Sequence, residues 1–196
     1  MTASWRPWQI AVLAMVVSFA AGSSANPTLY TIAPVAGSAQ TDPPQVILLQ
    51  QIGLARYLER SQIVRSSENY RLDVMSNDWW GEPLGAMMSR VLTEELGQRL
   101  PRSVVLSETG GISSPGDATI ALNLQRLDED AAGNLVLQAQ AAVSFKGRHA
   151  PVLRNFRFAV TTQGPGVPAE IAAISAAVGQ LADGLASMVL AGPVVR

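Results

Sequence analysis

The sequence predicts an α+β fold, an antiparallel sheet with two main helices packed on one face, in the order strands, helix, strands, helix. Three observations predict it. Several short runs alternate apolar and polar residues with period two, the pattern of half-buried strands. Two longer segments place apolar residues at three- and four-residue steps, the pattern of amphipathic helices. The links between the later strands are short, which implies a meander.

The elements follow in order. "TLYTIAP" (Thr28–Pro34) is a short β-type run. Residues 34–44, "PVAGSAQTDPP", are rich in Pro, Gly and Ser and read as a flexible loop. "QVILLQQIGLA" (Gln45–Ala55) is apolar and rich in strand formers, and "SQIVRSS" (Ser61–Ser67) is a further strand. "YRLDVMS" alternates Tyr70, Leu72 and Val74 against Arg71 and Asp73, so the first three are expected on the buried face, with "SENY" as the turn before them.

In Gly81–Pro101 the period changes. Leu84, Met87, Met88, Val91, Leu92, Leu96 and Leu100 define a helix that Pro83 opens and Pro101 stops. "SVVLS" is a strand, and Glu108–Asp117 a Gly/Ser/Pro loop. Three strands follow. One carries Ile120, Leu122 and Leu124, the next Leu135, Leu137, Ala139, Ala141 and Val143, and the last Phe156, Phe158 and Val160. "DEDAAGN" and "RHAP" are the turns between them. A helix over Val167–Ala191 ends the domain, with Ile171, Ile174, Val178, Leu181, Leu185 and Met188 in one stripe and Gly192-Pro193 closing it.

The first 25 residues read as an export signal. Arg6 is the only charge before Asp42, Ile10–Ala21 is a short apolar core, and Ser23-Ser24-Ala25 supplies small residues at a cleavage point. The core is short for a spanning helix, which needs about 20 apolar residues. Residues 26–196 then form a single domain. Without Arg6 that domain has 13 basic residues against 15 acidic ones, which excludes a general nucleic-acid binder. It has no cysteine, so it has no disulfide, no thiol nucleophile and no thiolate zinc site.

The sequence nominates no catalytic, cofactor-binding or metal-binding residue. His149 is the only histidine and falls in a turn, and no serine stands in G-x-S-x-G. "DED" at Asp128–Asp130 lacks the calcium-loop spacing and reads as a solvated turn.

The candidates that remain are contact residues. Lys146, Arg148, Arg154 and Arg157 lie in a stretch with no acid between Asp130 and Glu170, giving one hairpin a positive outer face for an acidic partner or lipid headgroups. Edge-strand protection explains the same charges. Trp79 and Trp80 adjoin the start of the first helix, one expected to be buried and the other partly exposed for contact. The last helix carries few polar residues outside its stripe. Its small residues Ala173, Ala177 and Gly184 therefore suit a second covered face, against another copy or a partner.

Two motifs carry a resemblance. Tyr57-Leu58, Arg60 and Gln62-Ile63-Val64-Arg65, followed by Trp80 and Glu82-Pro83-Leu84, resemble the auxiliary lipoproteins of ABC-type lipid transport, the Pqi C-component family. The tyrosine-bearing run Leu29–Pro34 is similar to that family's first strand. The resemblance implies a non-enzymatic auxiliary subunit without cofactor, working with an MCE-domain protein that carries lipid. It also implies a periplasmic location at the outer membrane. A free periplasmic domain carrying an apolar ligand is the alternative. The family's anchor cysteine is expected where Ser23 stands, and serine cannot form the thioether.

Intact mass of the purified protein is expected to show a chain starting at Asn26 without a fatty-acid adduct. Ser23→Cys is expected to restore lipid labelling. A full-length or acylated wild-type mass contradicts the reading of residues 1–25.

Overall fold

A computed structural model describes residues 26–41, 45–112 and 114–192. The expected export signal and cleavage point, the end of the loop at 42–44 and the proposed stop at Pro193 lie outside these residues. The order of elements is the predicted one. Strands β1 (Thr28–Tyr30), β2 (Val46–Leu49), β3 (Gly53–Leu54), β4 (Gln62–Ser66) and β5 (Asp73–Trp80) come first, with a 3-10 turn at Arg56–Leu58. Helix α1 (Leu84–Arg99), β6 (Val104–Ser107), β7 (Ala118–Glu129), β8 (Asn134–Phe145), β9 (Val152–Thr161) and α2 (Val167–Ala191) follow.

All the described strands join one mixed sheet organised around β7. One edge of β7 pairs antiparallel with β8, which pairs antiparallel with β9, and this is the expected meander. The other edge takes β2, β3 and β4 in succession, each parallel to β7. From there the sheet splits into two wings. β6 adds in parallel outside β2; β5 adds antiparallel outside β4, and β1 parallel outside β5. The fully antiparallel sheet expected from the short links therefore holds only for the meander. The link at Gln50–Ile52 does not reverse the chain, because Gln50 N–H still donates to Ile120 O and Ala55 N–H to Leu124 O.

The buried stripe of α1 is as the period required: Met87, Met88, Val91, Leu92 and Leu96 have no accessible surface. Pro83 stands one residue before the helix, with φ −52° and ψ 129°, and its carbonyl accepts from Ala86 and Met87. On the opposing sheet Ile120, Leu124, Leu135 and Leu137 are equally buried. The hairpin between β4 and β5 departs from the expected pattern. Its strand begins at Asp73; Asn69 and Tyr70 take positive φ (55° and 60°) in the turn, and Tyr70 and Leu72 are exposed. Both central residues at positive φ is the geometry of primed hairpin turns.

Residues 31–41 have no helix or strand, yet they form a strap over the crevice between the helices. Ile32 N–H reaches Met87 Sδ, Ala33 N–H donates to Ser175 Oγ, Val35 N–H to Glu95 Oε1, and Gln40 N–H to Arg99 O. A Cβ at Gly179 would come within 3.0 Å of Val35 Cβ. A Cβ at Gly184 would overlap the Phe156 ring of β9.

The low polarity of α2 follows from this packing. The helix is long and apolar enough to cross a membrane by length and composition, and it is largely buried within the fold. Ala173 and Ala177 are buried in the chain's own core and offer no surface to another chain, which corrects their expected contact role. The exposed stripe is narrow, with Ala172, Gln180, Asp183 and Ser187.

An unpaired charge placed in a core costs about 3–5 kcal/mol. The single variant Ala177→Lys is therefore expected to lower the melting temperature strongly by circular dichroism. Ala172→Glu, on the exposed stripe, is expected to melt within about 1–2 °C of wild type.

Candidate partner-contact surfaces

The two sequence motifs, some 15 residues apart along the chain, meet in space. Trp80 N–H donates to Ser61 O, and Trp79 lies in register with Gln62. Trp80 is the buried member of the pair and joins the core that also includes Leu58 and Leu84. Trp79 is half-buried, and its indole N–H donates to Ser76 O. Glu82 accepts two hydrogen bonds from Arg90, which also donates to Thr31 Oγ1. These contacts tie the start of α1 to the strand β1–strap junction, where Gly81 N–H donates to Tyr30 O. Between the wings, at the open N-terminal turn of α1, lies a cleft of about 620 Å³ lined by Gln51, Leu54, Glu59, Pro83, Gly85 and Thr109.

Tyr57 and Arg60, the other motif residues, support a buried charge network. Arg60 Nε donates to Tyr57 O, and Tyr57 O–H donates to Asp128 Oδ2 at 2.7 Å. Arg126 donates to Asp128 Oδ1 and to Glu68 Oε1. Burial, then the hydrogen bond to Asp128, raises the phenol's pKa, so it stays a donor. Asp128 has no accessible surface, which corrects its reading as part of a solvated turn. Only Asp130 has the turn role, its carboxylate accepting from the N–H groups of Ala132 and Asn134. The signal for Asp128 was present in the sequence as "RLD" at the end of an alternating strand. A bulge between Leu124 and Arg126 hid it, because it shifts which residues face the core.

The four basic residues do not form one patch. Arg154 lies opposite Ala141 on the helix-facing side of β9, with its guanidinium 5.8 Å from the Phe156 ring centre. Arg157 lies opposite Gln138 and points to the other face. Lys146, Arg148 and His149 are exposed in the β8–β9 turn. The single positive outer face expected from the sequence is thus divided between two faces and a turn. A shallow cleft of about 390 Å³ is lined by Asn123, Gln140, Leu153 and Asn155 together with one charged residue, Arg154.

The model of the ABC-type transport auxiliary lipoprotein component family matches residues 28–186. The chain belongs to this family. Among solved structures, the auxiliary component is similar to an uncharacterized protein at TM-score 0.71 and 16% identity, covering 84% of this chain and 99% of that one. It is similar also to a DUF330 protein from Xanthomonas campestris at TM-score 0.70 and 17% identity, covering 84% and 95%. No curated protein matches it by sequence. Family membership gives the chain an auxiliary role in ABC-type transport, and the lipoprotein description points to the cell envelope.

One titratable group of the auxiliary component is out of its usual range. Glu170, in the first turn of α2, is 3% exposed and its Oε1 has no hydrogen-bond partner. Burial, then the neighbouring Glu129 carboxylate, pushes it up to about 7, against a lowering by Arg65 at 3.9 Å. Asp73 and Asp78 add to the rise. The group lines a cleft of about 470 Å³ with Arg65, Glu129 and Thr162. Among the described residues no cluster of three metal-ligating side chains occurs.

Two outcomes are expected. Deleting a buried tryptophan costs about 3–5 kcal/mol, so Trp80→Ala is expected to lower Tm strongly and Trp79→Ala much less; equal, negligible shifts contradict the burial of Trp80. For Glu170, the unfolded group ionises near 4.5 and the folded group near 7. Between those values the folded chain holds the extra proton, so stability falls as pH rises. Glu170→Gln is expected to gain up to about 3 kcal/mol at pH 8 and to change little at pH 4, by thermal melts at the two pH values.

Proposed function

We propose that the chain is a non-enzymatic auxiliary subunit of an MCE-type lipid transport system, resident in the periplasm at the outer membrane. The family match over residues 28–186 carries this reading. The joined motifs support it. Tyr57, Arg60, Trp80 and Glu82 build one rigid corner rather than a reactive constellation, and they leave the half-buried Trp79 beside the edge strand β1 for a partner. The exposed charges Arg157, Lys146 and Arg148 are secondary contact points for an acidic partner or lipid headgroups. The alternative, a free carrier of an apolar ligand, draws less support. The space between sheet and helices is filled by Met88, Leu92, Leu124, Leu137, Val178 and Leu181, all without accessible surface.

Affinity purification from envelope extracts, with mass spectrometry of both proteins and lipids, tests the reading. An MCE-domain protein is expected among the captured proteins. Stoichiometric lipid with no transport component would favour the carrier instead.

A further inference from the structure

The cleft at the start of α2 holds a carboxyl group where it costs the fold stability. Glu170 is 3% exposed, and its Oε1 meets no hydrogen-bond partner among the described residues. Its Oε2 lies 3.9 Å from Arg65 Nε, too far for a hydrogen bond. A glutamine would remove the buried charge and keep the shape. Function is the recurrent reason for such a cost. The residue lines a cleft of about 470 Å³, an ordinary size for a small-molecule site.

The charges around Glu170 are mostly negative. Glu129 of β7 lines the same cleft, and Asp73 and Asp78 of β5 act on Glu170 in the same direction. Asp130, in the adjoining β7–β8 turn, is a further acid, its carboxylate bonded to Ala132 and Asn134 N–H. Arg126 of β7 is already bonded to Asp128 and Glu68. Arg65 of β4 is the cation that lines the cleft, with its side chain 46% exposed and its two acidic neighbours, Asp73 and Glu170, each at 3.9 Å. The cleft therefore places unsatisfied acceptors inside and a loosely held guanidinium toward solvent.

A proton relieves the excess of negative charge, and a bound cation does the same. A calcium ion needs six or more oxygen ligands, and no cluster of three ligating side chains occurs among the described residues. A primary ammonium has only three donors to satisfy. Arg65 in turn offers the donor fork that suits an oxyanion. Gly133 and Gly164 on the rim, both at positive φ, leave open space where a side chain would stand.

We propose that this cleft binds a zwitterion: its primary ammonium donates to Glu170 and Glu129, and its phosphodiester accepts from Arg65. That is the chemistry of an ethanolamine phospholipid head group, attached to its lipid or free. The choice of a phosphodiester over a carboxylate rests on the lipid-transport reading; the ammonium end rests on the cleft alone.

Glycerophosphoethanolamine is titrated into the purified protein, labelled with nitrogen-15, at pH 8. Glycerophosphocholine is the control, because it has the same phosphodiester and no N–H to donate. The first is expected to shift the amide signals of Gly133, Gly164 and Gly166, and the second to leave them in place. Glu170→Gln is expected to weaken binding about tenfold or more with no fall in Tm. Arg65→Gln is expected to weaken binding of glycerophosphoethanolamine and to spare that of ethanolamine. Binding needs an ionised Glu170, which titrates at about 7, so wild-type affinity is expected to fall about tenfold from pH 8 to pH 6. No shift at about 10 mM ligand, equal shifts by both ligands, or unimpaired binding by Glu170→Gln overturns the proposal. Flotation with vesicles of phosphatidylethanolamine and phosphatidylcholine, against phosphatidylcholine alone, separates the sources. Ethanolamine-dependent flotation that Glu170→Gln abolishes assigns the lipid head group, and amide shifts without flotation assign the free one. Capture of a transport partner with no amide shift removes the cleft site only. Amide shifts without partner capture keep the site and remove the transport reading.

Discussion

The packing of the helical layer depends on one buried guanidinium. Arg99, 1% exposed at the end of α1, donates to Asp183 Oδ1 and Gly179 O of α2, to Val35 O of the strap and to Glu95 O of its own helix. Burying an arginine costs several kcal/mol unless a counter-charge and further acceptors surround it. Here they come from three separate segments, so the charge is satisfied only when all three are in place. Gly37 allows the strap to lie against it, since a Cβ there would overlap the guanidinium. Glu95 accepts from Val35 N–H beside it, and burial raises its pKa. One side chain thereby ties the two helices together and holds the strap over them.

Much of the fold could be read from the sequence because it is local. The steps of α1 and α2 and the alternation of β7, β8 and β9 each record a single face of a single element. The wings were not readable for the same reason. Whether Gln50–Ile52 or Ala55–Ser61 reverses the chain or lets it continue along β7 depends on hydrogen bonds to residues some 70 positions away, and no local pattern reports those. The misplaced Tyr70 and Leu72 show a converse failure. Two apolar residues at the right spacing satisfied the strand rule, while the turn simply extended further than "SENY" suggested.

The contact residues were legible in part. Trp79 and Trp80 divide as adjacent positions on a strand must, one to each face. Asp128 was misread because burial of a carboxylate depends on partners, here Tyr57 and Arg126, that lie at no recognisable spacing from it. The same network gives the tyrosine and the arginine of the family-like motif a bracing role. They brace the corner at which β3, β4 and the 3-10 turn cross the end of β7.

The strap has a mechanical consequence. A pull applied at Asn26 loads β1 first, and β1 is held to β5 over only three register pairs. That short ladder can yield without disturbing the core. The load then passes along residues 31–41 to Val35, where it meets Arg99 and Glu95 in the helical layer. The attachment behaves as a short compliant leader in series with a stiff clamp. A domain drawn or jostled by its N-terminal side would lengthen by an edge strand and keep the sheet and helices intact.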